Sequence, residues 1–321
     1  MSRVLVTRQL PERGLDPIVA AGHEIVAFPG DVPLTPDELA TAVRDVDAVV
    51  CLLTDRIDRG VIAAGTRDGS RLRVVATVSV GYDNVDVIAA AEAGVVVCNT
   101  PGVLDETTAD LAWALILSSA RVTSTAESDL RGGRWPGWGI GQYLGHDVHG
   151  AGLGVVGWGR IGQAVARRAA GFDMTVIHHA RRRTGAPGYM PDLDHLLAAA
   201  DIVSLHVPLG PQTHHLIDER RLRLMKPTAV LINTSRGPVV DERALAAALR
   251  SGALFAAGLD VYEREPAVHP DLLAAPRTVL LPHIGSATVG TRTAMARLAA
   301  HSVVTVLAGG TPPNAVRRPA G

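Results

Sequence analysis

The stretch Leu153-Gly-Val-Val-Gly157-Trp-Gly159-Arg-Ile-Gly162 decides how this chain is read. It begins as a short apolar strand, Leu153–Val156, and leads into a helical pattern, Gln163–Ala170. Between them stands GxGxxG at Gly157, Gly159 and Gly162, in the strand–turn–helix context that marks a dinucleotide-binding turn. The first glycine permits the tight turn, the second lets backbone approach a pyrophosphate, and the third lets helix and strand pack closely. Trp158, Arg160 and Ile161 complete the turn, and the helix N-terminus offers free N–H groups and a positive dipole end to phosphates. A glycine-rich turn without a ligand is the alternative.

Outward from this point, short apolar runs alternate with amphipathic stretches. Val4–Val6, Glu24–Phe28, Ala48–Leu53, Arg73–Thr77 and Val95–Cys98 read as one series of strands. Leu153–Val156, Met174–His178, Ile202–His206, Ala229–Ile232, Ala257–Val261 and Thr278–Leu281 read as a second. This βαβ rhythm predicts an α/β protein with two doubly wound parallel sheets. Asp105–Ser124 reads as one long linking helix, with acidic and hydroxyl residues at its start. Thr291–Leu307 is also helical in pattern, and is expected to return to the first domain.

Composition narrows the classes. The 321 residues are 47% hydrophobic and 20% charged, with a net charge of −1, which offers nothing to nucleic acid or a membrane surface. Leu111–Leu117 is too short to span a bilayer. Of 31 basic residues only Lys226 is a lysine, and proline follows it, so there is no GK[ST] phosphate loop. A Schiff-base enzyme would have that one candidate amine. Cys51 and Cys98 suit neither a disulfide framework nor CxxC chemistry. The paired histidines His178-His179 and His214-His215 point apart in regular structure, so no metal site is expected. The opening MSRVLVTRQL reads as a strand rather than a signal peptide, and a cytoplasmic protein is expected.

The dinucleotide is narrowed by the end of the second strand. An NAD enzyme carries an acid about 20 residues beyond the turn to hold the ribose 2′-hydroxyl. Here the strand ends His178-His-Ala-Arg181-Arg182-Arg183, and Asp173 lies before it, at the wrong end. Arg181 and Arg182 are therefore read as a clamp on a 2′-phosphate, with NADP(H) preferred and NAD(H) possible. An arginine-rich loop produced by coding bias is the alternative.

Ligands of doubly wound sheets bind beyond the carboxyl ends of the strands. Three late strands end in Asn233-Thr-Ser-Arg236, in Tyr262-Glu-Arg-Glu265 and in Pro282-His283. The types suit hydride transfer to a carbonyl: a guanidinium to hold a substrate carboxylate, an imidazole to protonate the oxygen, and a carboxylate to orient the imidazole. A surface ion pair, a solvated loop charge and a core histidine are the alternatives.

Long motifs point further. They are Cys51-Leu-Leu-Thr-Asp55, Val78-Ser-Val-Gly-Tyr-Asp-Asn-Val-Asp86, Asn99-Thr-Pro-Gly-Val-Leu104 and Thr107-Thr-Ala-Asp-Leu111, followed by the Gly-rich turn. His206-Val-Pro-Leu-Gly-Pro-Gln-Thr213, Asn233-Thr-Ser-Arg-Gly-Pro-Val-Val-Asp241, Gly258-Leu-Asp-Val-Tyr-Glu-Arg-Glu-Pro266 and Leu281-Pro-His-Ile-Gly-Ser-Ala-Thr288 complete them. Nearly end to end, the chain resembles the D-isomer-specific 2-hydroxyacid dehydrogenases, most of all their glyoxylate/hydroxypyruvate reductase branch. The resemblance implies a Rossmann cofactor domain (100–286) inserted into a flavodoxin-like substrate domain (1–99 with 287–321). It implies Arg236, Glu265 and His283 as the catalytic trio, and Leu53, Val80, Gly81 and Trp138 as substrate contacts. Thr108, His206, Pro208, Thr213, Thr234, Ser235, Asp260 and Gly285 fall at cofactor-binding positions. A small 2-oxo or 2-hydroxy acid is the implied substrate, and a homodimer through the cofactor domain the implied assembly. The chain departs from the phosphite-oxidising relatives, which carry lysine where Val80 stands, and its segment after Arg183 is short. A dinucleotide-sensing binding module of the same fold, or a dehydrogenase of another D-2-hydroxy acid, is the other reading.

Overall fold

The computed structural model describes residues 1–11, 13–67 and 69–316; the end of the expected 287–321 segment, from 317 onward, lies outside them. The chain forms two compact units, residues 1–104 with 286–321, and residues 105–285.

The first unit carries β1 (Arg3–Val6), β2 (Glu24–Ala27), β3 (Ala48–Cys51), β4 (Val74–Thr77) and β5 (Val96–Cys98), all parallel, in the order β2-β1-β3-β4-β5. β3 and β4 are buried along their whole length, as expected of strands covered on both faces. The helix Val289–Leu307 belongs to this unit. Arg73 seals its end by donating to the carbonyls of Val306 and Leu307.

The second unit carries β6 (Gly152–Val156), β7 (Thr175–His179), β8 (Ile202–Leu205), β9 (Val230–Asn233), β10 (Ala256–Leu259) and β11 (Thr278–Leu280), in the order β11-β10-β9-β8-β6-β7, again all parallel. Tyr189 adds a single parallel bridge to His178. One face of the sheet is covered by the helices Asp105–Ala120 and Arg160–Ala169, through Leu115, Ile116, Ala164 and Val165. The other is covered by Leu193–Ala199 and Glu242–Ser251, through Leu196, Leu197, Leu245 and Leu249. Each fully buried leucine or isoleucine contributes roughly 1.5–3 kcal/mol.

One expected element is corrected. The linking helix does not run to Ser124. It stops at Ala120, Val122 turns left-handed at φ 53°, and a second helix covers Thr123–Arg131. The apolar stripe of the first helix ends there, and the second helix buries none of its residues, so no common face holds the two in line. The lone lysine pairs with Asp201 at 2.7 Å, before β8 begins. Among the described residues no helix is long and apolar enough to cross a membrane.

Candidate active site

In the second unit the chain reverses direction across the sheet between β6 and β8, and the Gly-rich turn lies at that switch point, beyond the end of β6. Gly157 takes φ +101°, and a Cβ on it would stand 2.5 Å from the His206 carbonyl oxygen. A Cβ on Gly162 would stand 2.1 Å from the Gly157 carbonyl oxygen. Both glycines are demanded by the protein's own packing. Gly159 differs: it precedes the helix Arg160–Ala169, and a Cβ there would meet nothing within 4 Å. This open space before helical N–H groups fits a pyrophosphate. Trp158 stacks on His178 at 3.7 Å between ring centroids, and Tyr189 stands 5.7 Å from the same imidazole. The short segment after Arg183 folds back on β7, where Gly188 passes against Val176. Arg181 and Arg182 are exposed at the end of β7, while Arg160 and Ile161 start the helix. Pro208 and Thr213 share a loop closed by the Thr213 hydroxyl, which donates to the Pro208 carbonyl at 2.7 Å. His206 meets Ser204 Oγ at 2.8 Å, and burial pushes its imidazole down to about 4.

The loops after β9, β10 and β11 leave one edge of the sheet together. Asn233 is buried and frames the first loop: its Nδ2 donates to the Arg236 carbonyl at 3.0 Å, and its Oδ1 accepts from Ser235 N and Oγ. Arg236 Nη1 donates to the Ser235 carbonyl at 2.9 Å. Thr234 Oγ1 is buried with no hydrogen-bond partner among the described residues.

From the second loop, Glu265 Oε2 lies 2.7 Å from His283 Nδ1, and its Oε1 accepts the Tyr262 amide at 3.0 Å. Burial resists ionisation of this carboxyl, but the hydrogen bond and charge of His283, the Tyr262 amide and the charge of Arg236 outweigh it and hold the group below its ordinary value. His283 has a left-handed backbone, φ 55°. Asp260, 1% exposed, secures that turn, accepting the amides of Ile284 at 2.7 Å and Gly285 at 2.8 Å. Its carboxyl is raised, chiefly by burial and further by Glu265, against those amides and His283. Thr108 is buried beside Gly285. Arginine, carboxylate and imidazole are thus brought together.

The comparisons accord with this geometry. Residues 113–285 match the family model described as "D-isomer specific 2-hydroxyacid dehydrogenase, NAD binding domain". A glyoxylate reductase of Thermococcus onnurineus is 45% identical over 98% of this chain and 96% of its own. The chain belongs to the D-isomer specific 2-hydroxyacid dehydrogenase family. Among solved structures, the TT0316 protein of Thermus thermophilus is 46% identical, with a TM-score of 0.92 over 98% of this chain and 100% of its own. An NADPH-dependent glyoxylate/hydroxypyruvate reductase of Sinorhizobium meliloti, in complex with NADP and malonate, is 35% identical, with a TM-score of 0.85 over 100% of this chain and 99% of its own. This dehydrogenase is an oxidoreductase that works with a nicotinamide dinucleotide.

In the first unit of the dehydrogenase, the two expected substrate loops are pinned. Ser79 Oγ donates to the Gly81 carbonyl at 2.6 Å, and Asn99 Nδ2 to the Val80 carbonyl at 2.7 Å. The loop bearing Leu53 is held by Asp55, fully buried, which accepts from Leu52 N and Arg8 Nη2, both at 2.8 Å, and from the Thr7 hydroxyl. Asn84 Nδ2 donates to the carbonyls of Leu52 and Asp55. Arg8, Asn84 and Asn99, which hold these loops, were not among the expected site residues, although Asn84 and Asn99 stand within the quoted motifs. Trp138 is 81% exposed.

Proposed function

We propose that the protein is an NADPH-preferring reductase of glyoxylate and hydroxypyruvate, yielding glycolate and D-glycerate. The observation that carries the reading is the Glu265–His283 pair at 2.7 Å, with the Arg236 charge acting on the same carboxylate. When bound, the reduced nicotinamide supplies a hydride to the substrate's carbonyl carbon. His283 gives a proton to the carbonyl oxygen in reduction and takes it back in oxidation. Glu265 orients the imidazole and favours its charged form. Arg236 holds the substrate carboxylate through its planar fork. Leu53, Val80 and Gly81 are read as the first unit's substrate contacts, which makes residues 1–104 with 286–321 the substrate unit and 105–285 the cofactor unit.

In the cofactor unit, Gly157, Trp158, Gly159, Arg160, Ile161 and Gly162 would border the pyrophosphate. Thr108, His206, Pro208, Thr213, Thr234, Ser235, Asp260 and Gly285 are read as the remaining dinucleotide contacts. Preference for NADPH is supported by Arg181 and Arg182, exposed at the end of β7 where no acid stands, and by the NADP held by the Sinorhizobium relative. A homodimer through the cofactor unit is supported by the apolar side chains left in solvent on one short stretch: Leu130, Trp135, Trp138, Ile140 and Leu144. Trp138, within that stretch, is also read as a substrate contact.

The test is steady-state kinetics on a panel of 2-oxo acids with NADPH and with NADH. The expected result is the highest kcat/KM for glyoxylate or hydroxypyruvate with NADPH. A ratio favouring NADH would remove the role given to Arg181 and Arg182. A protein that binds NADPH but reduces no 2-oxo acid would overturn the enzymatic reading.

A further inference from the structure

The loop that carries Glu265 is tied at both ends to one side chain of another element. Glu242, the first residue of the helix Glu242–Ser251, is 5% exposed. Its Oε1 accepts the Glu263 amide at 2.6 Å and its Oε2 accepts the His269 amide at 3.2 Å. The tie is reciprocal, since Glu263 Oε1 accepts the Glu242 amide at 2.9 Å. Between the tied residues, Ala267 N donates to the Arg264 carbonyl at 2.9 Å and closes a turn around Glu265.

The same backbone faces the Arg236 loop. A Cβ on Gly237 would fall 1.8 Å from the Tyr262 carbonyl carbon and 2.4 Å from Glu263 N. The placement of Glu263 therefore governs both the carboxylate that meets His283 and the loop that carries the arginine. His215 Nε2 adds a contact at 3.4 Å to Glu263 Oε1.

A buried carboxylate needs donors, and any nearby amides would satisfy it. Glu242 takes as its donors the two ends of the one loop that bears the reacting pair's carboxylate. We infer that Glu242 is a positioning residue for proton transfer, fixing the Glu263–His269 loop so that Glu265 meets His283 and the Arg236 loop is seated against it. What is positioned rests on the function proposed above; the tie itself does not.

Glu242→Gln tests this. The side chain keeps its volume, but one acceptor oxygen becomes an NH2 group facing a backbone N–H, which leaves a buried donor unpaired. Wild type, Glu242→Gln and Glu263→Gln are compared by thermal melting, NADPH binding, NADPH-dependent glyoxylate reduction, and 13C NMR titration of the Glu265 carboxyl. In folded Glu242→Gln, kcat is expected to fall about 10- to 100-fold with NADPH affinity unchanged. The Glu265 carboxyl is expected to titrate higher, nearer its ordinary value. A purely structural role would lower melting without moving that titration. Unchanged Glu265 titration in folded Glu242→Gln overturns the inference. If Glu242→Gln does not fold, Glu263→Gln decides by the same titration. A wild type inert toward glyoxylate sinks the functional reading, and the titration still decides the tie.

Discussion

His283 Nδ1 lies 2.7 Å from Glu265 Oε2, so that in the proposed mechanism Nε2 is the nitrogen that exchanges a proton with substrate. The carboxyl of Glu265 is held below its ordinary value despite burial, because His283, the Tyr262 amide and Arg236 favour its charged form. A group whose folded value is depressed contributes stability that is fully present above its unfolded value and is lost as pH falls through the folded one. Wild type should therefore be more stable than Glu265→Gln at neutral pH, with the difference shrinking as pH drops below the usual glutamate range. Urea titrations across that range check it. The same variant should reduce glyoxylate about 100-fold more slowly.

Arg236→Ala should lose about 100-fold in kcat/KM for glyoxylate, or roughly 3 kcal/mol, the scale of a paired charge-assisted contact. NADPH binding, followed by fluorescence, should stay unchanged. Arg236→Lys should recover little, because an ammonium cannot reproduce the planar fork. Wild-type kinetics in Arg236→Ala would remove Arg236 from the mechanism, and wild-type kinetics in Arg236→Lys would show that charge alone suffices.

Gly159→Ala and Gly162→Ala should separate binding from folding. The added methyl at 159 meets no protein atom within 4 Å, so melting should hold while NADPH affinity falls about tenfold or more, as the methyl stands where backbone must approach phosphate. At 162 it meets the Gly157 carbonyl oxygen at 2.1 Å, so melting itself should drop. Equal melting temperatures for the two variants would contradict this.

Replacing Arg181 and Arg182 together by alanine should raise KM for NADPH about 10- to 100-fold and leave NADH kinetics nearly untouched. A parallel loss with both dinucleotides would show that the two arginines do not read the 2′-phosphate.

Asp55→Asn should cost about 3–5 kcal/mol in a denaturant titration, since Arg8, itself 5% exposed, would keep its charge in the interior without its partner. A loss below about 1 kcal/mol, the scale of a surface pair, would mean that the ion pair contributes little.

The strands and the phosphate turn were legible because their signals are local. Apolar runs such as Leu153–Val156 and Val74–Thr77 need no partner to be recognised, and the glycines at 157 and 162 are required by atoms a few residues away or on the next strand. The convergence of Arg236, Glu265 and His283 was legible because each follows the end of a strand, and parallel strands deliver their loops to one edge. The break at Val122 was not, because the residues on either side all tolerate a helix and only the loss of a face to pack against ends it. Glu242 was hidden for another reason. An acid in the first turn of a helix already has an explanation in the helix dipole, so nothing marked its reach to Glu263 and His269. Arg8 and Asp55 are 47 residues apart, and only the sheet brings them together.

The helix Val289–Leu307 sets a timetable for synthesis. It completes the unit whose five strands leave the ribosome first, packing so closely that the Cβ of Ala296 would stand 2.6 Å from a Cβ on Gly14. Residues 105–285 form a continuous stretch and have their whole core as soon as they emerge. The N-terminal strands must wait through that entire interval for their last helix. The portion made first is thus finished last, and meanwhile carries the greater need for chaperone protection.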